Sequence, residues 1–356
     1  MRTAPSPVSA SEAPAPAASS TVLRHRRRRA ALGLAGLGAA LLLAVALSLT
    51  IGSNSLPLPV VLEVLRGGGD AEARYVVAEL RIPRTAAGLA VGAALGAAGA
   101  LIQASTRNPL ADPGILGVNA GAAFAVALGV ALLGLRDISA LLWLAFLGAL
   151  VVTVAVYLIG SSGRGAADPI RLTLAGVALG AVFSGVTTGL TLSDPDAFDH
   201  MRSWNAGSLL GRGFDVIGPV LPFLVLGVLG ALLLAPGLNA LALGDDVARA
   251  QGARVRGIRL GVIAAVTVLA GAATALAGPI GFVGLMVPHV ARWLLGVDQR
   301  VVIAISVLLA PVVVLLSDVL GRVLIAPAEI PVGIVTAFVG APVLIALARR
   351  RRASTL

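Results

Sequence analysis

Residues 24–51 read RHRRRRAALGLAGLGAALLLAVALSLTI, and this stretch decides the class of the fold. The arginine cluster ends at Arg29, and the apolar run that follows, Ala30 to Ile51, carries no charged residue. A helix needs about 20 apolar residues to cross a hydrocarbon layer of about 30 Å. A signal-peptide core has only about 7–15 such residues. We therefore interpret the run as an uncleaved first membrane span.

Nine further apolar segments follow the first one along the chain. With the N-terminus in the cytoplasm, most arginines fall on cytoplasmic segments, as the positive-inside rule requires. The predicted fold class is therefore an all-α integral membrane protein with ten transmembrane helices and both termini cytoplasmic. The nine segments lie at about 85–104, 114–134, 138–160, 170–192, 216–236, 257–277, 282–295, 301–321 and 331–348.

The sequence divides into three regions. Residues 1–29 are rich in Ala, Pro and Ser and end in the arginine cluster, which predicts a disordered, basic cytoplasmic tail. Residues 30–348 form the membrane domain. Residues 349–356 are predicted to form a second basic cytoplasmic tail.

Composition excludes several functions. Only 12% of residues are charged, against about 25% in soluble domains, and 58% are hydrophobic. All 27 basic residues are Arg, without a basic face interleaved with aromatics, so no nucleic-acid partner is predicted. Without Lys the chain has no Walker A phosphate loop, so if ATP drives this protein, another chain must bind it. With no Cys and three scattered His, no metal site is predicted.

Four segments hold more Pro, Gly and polar residues than a membrane helix needs. They are Arg81-Ile-Pro-Arg84, the turn at 103–117, the block at 278–292 and the block at 329–342. Irregular backbone at membrane depth persists only where protein or a cavity covers it. The segments therefore predict broken helices that are buried against other helices. A ladder of Gly88, Gly92 and Gly96 likewise predicts close helix packing.

In order and spacing, these segments resemble the motifs of the FecCD family, the permease subunits of bacterial ABC importers for iron-siderophores, haem and vitamin B12. The resemblance covers about residues 30–348. It rests on Arg-x-Pro-Arg at 81–84, RNPLADPGILG at 107–117, GFVGLMVPHVAR at 281–292 and IPVGIVT at 330–336.

The resemblance implies a multi-pass permease in the bacterial cell membrane, surrounded by lipid. It also implies two ATPase subunits that hold ATP and Mg, an extracytoplasmic substrate-binding protein, and a second permease copy. A homodimer is expected, and a heterodimer with another permease stays open. The chain itself is expected to be no enzyme, with no catalytic residue and no bound cofactor.

A cytoplasmic connection at 238–252 predicts a short helix. Asp245 suits the N-cap, Asp246 the first turn, and Gly252 the left-handed position after the last turn. A helix of about two turns is unstable alone in water, so it needs a surface to dock on. The resemblance implies the coupling helix that fits a groove on the ATPase, and packing on its own chain is the alternative. The predicted coupling residues are Leu243, Gly244, Asp245, Asp246, Val247, Ala248, Arg249, Gln251 and Gly252.

Three arginines lie at the outer ends of spans. The resemblance implies that Arg81, Arg84 and Arg322 face acidic residues on the binding protein. Exposed Arg–carboxylate pairs are weak but orient a partner. Interfacial snorkelling is the alternative. Asp318 precedes Arg322 by four residues, a spacing that predicts an ion pair on one helix.

The fifth span carries a small, polar stripe whose members share one helix face. Such a stripe could line a pathway where two copies meet, or its hydroxyls could bond back to their own helix. In placement, the turn after the fourth span resembles the family's inner gate. The predicted pathway residues are Gly180, Ser184, Thr188 and Thr191, and the predicted gate residues are Ser161 and Ser162.

The predicted function is translocation of a ferric siderophore. Vitamin B12 and haem are the alternative cargoes, because the binding protein largely sets specificity in such importers. An ion-driven secondary transporter would need carboxylates in the middle of spans, and the sequence has almost none. An intramembrane enzyme would need a nucleophile–base or metal constellation, which the sequence lacks.

Overall fold

The structure is a computed structural model that describes residues 18–52, 56–162 and 169–350, and within these ranges all regular secondary structure is helical. A π-helical stretch, Tyr75–Arg81, and a 3-10 turn, Pro113–Leu116, accompany the α-helices. The α-helices are α1 Ala18–Thr50, α2 Leu58–Leu65, α3 Ala71–Arg74, α4 Ile82–Thr106, α5 Val118–Leu133, α6 Ile138–Ser161, α7 Pro169–Ser193, α8 Pro195–Asn205, α9 Phe214–Ala242, α10 Asp245–Ala250, α11 Val255–Ala277, α12 Val283–Leu295, α13 Gln299–Leu324 and α14 Val332–Arg350.

Each predicted apolar segment coincides with an apolar helix. In the described ranges, seven helical stretches are long and apolar enough to cross a membrane. Three shorter apolar helices, α5, α12 and the apolar part of α14, have 10–17 residues. The helical class is confirmed, whereas ten crossings stay a prediction. The seven long stretches are Gly33–Thr50, Ala71–Thr106, Ile138–Ser161, Ile170–Ser193, Phe214–Ala242, Val255–Ala277 and Gln299–Leu324.

Three element boundaries differ from the prediction. Helix α1 begins at Ala18, so residues 18–29 of the predicted disordered tail are helical. The physical reason is that the last proline of this region is Pro16, and Ala and Arg are strong helix formers. The apolar helix of the second span begins at Ala71 rather than near residue 85. Helix α9 extends to Ala242, so the connection to α10 is shorter than predicted. The remaining tail residues, 1–17 and 351–356, lie outside the described ranges.

Helix α4 is the centre of the bundle and packs against α9, α11, α12 and α13. Its glycine ladder, Gly88, Gly92 and Gly96, faces α13. A Cβ on Gly92 would overlap the backbone of Pro311, and one on Gly96 would overlap the carbonyl oxygen of Ser306. The predicted close packing of this ladder is confirmed. Helices α5, α6 and α7 form a neighbouring group, which α11 joins to α4 and α9.

The irregular segments satisfy one another's backbone groups. The Ser208 amide donates to the Ala277 carbonyl at 2.7 Å, and the Gly333 amide donates to the Gly207 carbonyl at 3.0 Å. Phe282, the N-cap of α12, has a left-handed φ of 67°. The turns before α9, α12 and α14 therefore meet. Protein covers Gly207 and Gly278, as predicted, whereas Gly281 and residues 325–328 are exposed.

The ends of the bundle are named here by one residue each. The Arg322 end contains the last turns of α1 and α13 and the first turn of α4. The Asp245 end contains α10, the last turn of α4 and the first turns of α11. Because α4 runs from Ile82 to Thr106, the two ends lie at opposite ends of the same central helix.

Candidate functional site

At the Arg322 end, Arg84 is held by two carboxylates. Its Nη2 lies 2.8 Å from Asp318 Oδ1, and its Nε lies 3.0 Å from Asp318 Oδ2. Its Nη1 lies 2.7 Å from Glu329 Oε2. Such fork-to-carboxylate contacts are charge-assisted and geometrically specific. The cluster ties α4 to α13 and to the segment that precedes α14.

Arginines at the same end hold the last turn of α1. Arg322 Nη1 donates to the Ser48 carbonyl at 2.8 Å, and Arg81 Nη1 donates to the Leu49 and Thr50 carbonyls at 2.7 and 2.8 Å. The last carbonyls of a helix have no partner within it, and the helix dipole favours cations there. The two arginines therefore fix the end of α1 against α4 and α13.

The structure contradicts the exposure predicted for these arginines. Arg81, Arg84 and Arg322 are 5%, 8% and 2% exposed. Docking and snorkelling both require the guanidinium group in water, so neither describes their present position. The reason is that Asp318 and Glu329 supply internal partners for Arg84. The predicted ion pair between Asp318 and Arg322 is confirmed.

A second charged group surrounds α8, which follows α7. Arg136 Nη2 lies 3.0 Å from Asp196 Oδ2. Burial, together with the charges of Arg136 and Arg212, holds the pKa of His200 below its ordinary value of 6.5. Burial also lowers the pKa of the Arg212 guanidinium. Arg136 and Arg212 therefore act on His200, although the same helix also carries the acidic residues Asp196 and Asp199.

At the Asp245 end, one carboxylate joins three helices. Asp245 Oδ1 lies 2.6 Å from Arg107 Nη2, at the end of α4, and Asp245 Oδ2 lies 2.8 Å from Arg259 Nη2 on α11. The prediction that Asp245 is the N-cap is wrong. Gly244, with φ of 110°, occupies that position and Asp245 is the first helical residue. The left-handed Gly252 is confirmed, with φ of 83°.

The predicted coupling residues form a short helix with one face open. Ala248 is fully buried against α9 and α11. Leu243 and Val247 are 61% and 45% exposed, and the Asp246 side chain is 98% exposed. Arg249 pairs with Asp246 on the same helix at 2.8 Å. An apolar pair beside charges, on the side away from the chain's own core, is available to a partner. Gly244 is half-buried, and Arg249, Gln251 and Gly252 are exposed.

The turn after α4 is built by its own polar side chains. Arg107 has a left-handed φ of 51°, and the Leu110 amide donates to Asn108 Oδ1 at 3.0 Å. The Gly114 amide donates to Asp112 Oδ1 at 2.8 Å. Desolvation outweighs that hydrogen bond and raises the pKa of Asp112 above its ordinary value. The turn presents Leu110 to solvent.

Gln103 connects two of the motifs on which the family resemblance rests. Its Nε2 donates to the Gly284 and Leu285 carbonyls at 3.2 and 3.1 Å, and its Oε1 accepts from Arg292 Nη2. Helix α4 thereby holds the first turn of α12. The sequence placed Gln103 and Arg292 in their motifs but gave no signal that the two meet.

Only part of the predicted pathway stripe on α7 is exposed. Ser184 and Thr188 are exposed, whereas Gly180 and Thr191 are half-buried. Thr188 donates its hydroxyl to the Ser184 carbonyl at 2.8 Å, and Thr191 bonds back similarly to Thr187 at 2.7 Å. The two threonine hydroxyls are thus satisfied within their own helix, as the alternative interpretation expected.

The predicted gate residues end α6. Ser161 is its last residue and Ser162 its C-cap. The Ser162 hydroxyl donates to the Ile159 carbonyl at 2.6 Å, and Arg171 Nη1 donates to the Ser162 carbonyl at 3.3 Å. Gly163, the last residue of the predicted turn, lies outside the described ranges.

A small cavity lies near the Asp245 end between α4, α7 and α11. Thr106, Thr173 and Arg259 supply part of its polar lining. Its volume of about 20 Å³ holds about one water molecule and no chelate. In the described part of the chain, no cluster of three or more His, Cys, Asp or Glu could hold a metal ion.

A family model and curated relatives identify the family of this chain. A model of the FecCD transport family matches residues 40–350. The ferric enterobactin transport system permease protein FepD of Escherichia coli (strain K12) is 51% identical over 296 residues, 83% of this chain and 88% of FepD. The Fe(3+)-citrate import system permease protein YfmD of Bacillus subtilis (strain 168) is 39% identical over 279 residues, 78% of this chain and 83% of YfmD.

The fold also matches a solved structure. A transporter described as of the metal-chelate ABC type, in an inward-facing conformation, superposes with a TM-score of 0.80 at 29% sequence identity. The match covers 89% of this chain and 98% of that one.

Proposed function

Because the chain belongs to the FecCD transport family, we propose that it is the membrane permease subunit of an ATP-driven importer whose cargo is a ferric siderophore. The observation that carries this proposal is the 51% identity to FepD, a ferric enterobactin permease, over 88% of FepD's length. The chain provides a path and a coupling element, and it carries out no covalent chemistry.

The proposed topology has ten crossings in the bacterial plasma membrane. The seven long apolar helices and the three shorter ones supply the ten segments. Both termini are cytoplasmic, which places most arginines inside. The Asp245 end then faces the cytoplasm, and the Arg322 end faces outward.

The proposed power source is a pair of separate ATPase subunits that bind ATP and Mg. The chain has no Lys and hence no Walker A phosphate loop. Helix α10 is the proposed coupling helix, because Val247 on its open face and Leu243, two residues before its start, are exposed apolar side chains. The ATPase groove would cover this apolar pair when it docks.

A proton-driven mechanism has less support. Asp318, a buried carboxylate near the end of a span, bonds to Arg84 and Arg322. Both of its carboxylate oxygens are engaged by guanidinium groups. It is therefore a poor proton carrier.

The proposed pathway lies between two copies of the permease. The cavity near α7 is far too small for a chelate, so the cargo needs space that one chain does not enclose. Helix α7 exposes Ser184 and Thr188 with small residues between them, a surface that a second copy could face across an open channel. A homodimer is proposed, with a second, different permease as the other arrangement.

The proposed docking site for the substrate-binding protein is the outward surface at the Arg322 end. Arg81, Arg84 and Arg322 would have to leave their internal partners to reach acidic side chains on that protein. We therefore assign them first to holding α1, α4 and α13 together beneath the docking surface.

The test of the cargo is uptake by cells with and without this gene. Radio-iron-labelled ferric enterobactin is the first probe, with labelled haem and cobalamin in parallel. Loss of ferric enterobactin uptake alone supports the proposal. Retained iron uptake with loss of haem or cobalamin uptake would overturn the cargo but keep the permease. A complemented strain controls for polar effects on neighbouring genes.

A further inference from the structure

Asp245 is the first residue of a six-residue helix, yet its carboxylate does not cap that helix. Instead, Oδ1 lies 2.6 Å from Arg107 Nη2 and Oδ2 lies 2.8 Å from Arg259 Nη2. The Asp245 side chain is about three-quarters buried, and that of Arg259 is more buried still. Each carboxylate oxygen therefore bonds to a different helix of the membrane bundle.

The two arginines lie on, or directly after, helices that each pack against several others. Arg107 follows α4, the central helix, and Arg259 lies at the start of the second turn of α11, which joins α4 to the α5–α7 group. Arg107 also adopts φ of 51°, and only Phe282 among the other described non-glycine residues has a positive φ. Side chains other than Gly, Asn and Asp rarely adopt this conformation. This left-handed residue ends α4, and its side chain contacts Asp245.

Apart from Asp245, α10 has few contacts that attach it to the rest of the chain. A helix of this length is not stable by itself, and Ala248 is the buried side chain of Asp245–Ala250. The opposite face, with Val247 and Asp246, is open. A partner that pushes on the open face can move α4 and α11 only through contacts on the closed face, and these include the two ion pairs of the Asp245 carboxylate.

From this geometry we infer that Asp245 is a positioning residue that transmits movement of α10 to α4 and α11 during transport. The inference rests on the proposed function, because it requires α10 to be the element on which the ATPase acts. It adds that loss of the Asp245–Arg107–Arg259 link uncouples ATP hydrolysis from uptake without preventing ATPase docking.

The test uses the full importer, permease with its ATPase subunits and binding protein, reconstituted in proteoliposomes. ATP hydrolysis and uptake of ferric enterobactin are measured on the same preparation, and their ratio is the readout. For Asp245→Asn, we expect the ferric enterobactin taken up per ATP to fall by about fivefold or more, the lower range of a coupling free energy. Asp245→Glu, which keeps the charge, should restore much of the ratio.

The matched control is Asp199→Asn on α8, which lies outside the coupling segment. Asp199 is exposed and pairs with Arg202 on its own helix. Its variant removes the same charge but should leave the ratio of uptake to hydrolysis within twofold of the unmodified importer. A merely structural role for Asp245 would lower hydrolysis and uptake together and leave their ratio unchanged.

Arg107→Gln provides a second test that keeps the Asp245–Arg259 pair. If Asp245→Asn does not assemble, the ratio for Arg107→Gln decides, and an unchanged ratio overturns the inference. An unchanged ratio in an assembled Asp245→Asn importer overturns it as well. Failure of the proposed function looks different, because the unmodified importer would then take up no ferric enterobactin at all.

Discussion

Arg84 and Asp318 lie 234 residues apart in the sequence and form a two-pronged ion pair between the central helix α4 and α13. Asp318 also bonds to Arg322, one turn further along its own helix. One carboxylate therefore compensates two buried guanidinium groups. Arg322 in turn donates to the Ser48 carbonyl in the last turn of α1, so the cluster joins three helices.

Replacing Asp318 by Asn should destabilise the protein strongly. Arg84 keeps only Glu329 as an acidic partner, and Arg322 loses its carboxylate. Removing one partner of a buried ion pair typically costs about 3–5 kcal/mol. The measurement is the free energy of unfolding in mixed micelles, titrated with denaturing detergent and followed by circular dichroism.

The control for that variant is Asp199→Asn. Asp199 pairs with Arg202 on an exposed surface at 3.5 Å, and such pairs contribute about 0–1 kcal/mol. Equal effects of the two substitutions would contradict the assignment of Asp318 to a buried cluster.

Replacing Gly99 by Ala should also destabilise the bundle. A Cβ on Gly99 would overlap the carbonyl group of Gly284, where α4 meets the first turn of α12. Backbone cannot move aside as a flexible side chain can, so we expect a loss of about 1–3 kcal/mol or more. The matched control is Gly230→Ala on α9, where an added Cβ would meet nothing within 4 Å. If both variants unfold at the same detergent fraction, the close contact is not present.

The helices and their close contacts could largely be predicted from the sequence. Apolar length defined each segment, and the spacing of Gly88, Gly92 and Gly96 indicated a packed face, which the structure places against α13. The i, i+4 spacing of Asp318 and Arg322 also predicted their ion pair correctly. These features depend on local periodicity, which a single sequence contains.

Long-range pairing was not predictable in the same way. The sequence predicts that Arg84 is exposed, because its acidic partners Asp318 and Glu329 come much later in the chain. The sequence predicts that Asp245 is a helix cap, because nothing in it shows that Arg107 and Arg259 approach this residue. Which charged side chains meet depends on how the helices pack. A single sequence therefore does not predict which of them are buried.

A charge on the open face of α10 should prevent ATPase docking. Val247→Asp places a carboxylate in the apolar pair that the ATPase groove is proposed to cover, beside the exposed Asp246. Disrupting a central interface residue typically costs 2 kcal/mol or more, so co-purified ATPase should fall by about tenfold or more. The measurement is the ratio of ATPase to permease after affinity purification.

Leu210→Asp is the matched control for that substitution. Leu210 is similarly exposed but lies next to Leu209, which contacts α4 near the Arg322 end. It should leave co-purification of the ATPase unchanged. Equal loss in both variants would indicate general misfolding rather than a docking surface on α10.

His200 should make stability fall as the solution becomes acidic. Its pKa in the folded protein lies below 6.5 because of burial and the charges of Arg136 and Arg212. The unfolded chain then binds more protons than the folded one, so stability is complete above about pH 6.5 and falls as pH decreases through the lower, folded pKa. Comparing the unfolding midpoint at several pH values for the unmodified protein and His200→Gln isolates this contribution. The variant should lose less stability between neutral and acidic pH, and parallel curves would contradict the prediction.

The orientation of the bundle can be measured with introduced cysteines, because the chain has none of its own. Asp246→Cys probes the Asp245 end, and Asp199→Cys probes α8 on the proposed outward side. Both side chains are exposed, so access of a reagent depends only on the side of the membrane. With the permease expressed alone, a membrane-impermeant maleimide should label the Asp199→Cys protein in intact cells. It should label the Asp246→Cys protein only after the cells are permeabilised. The opposite pattern would reverse the bundle, and it would place α10 where no cytoplasmic ATPase could reach it.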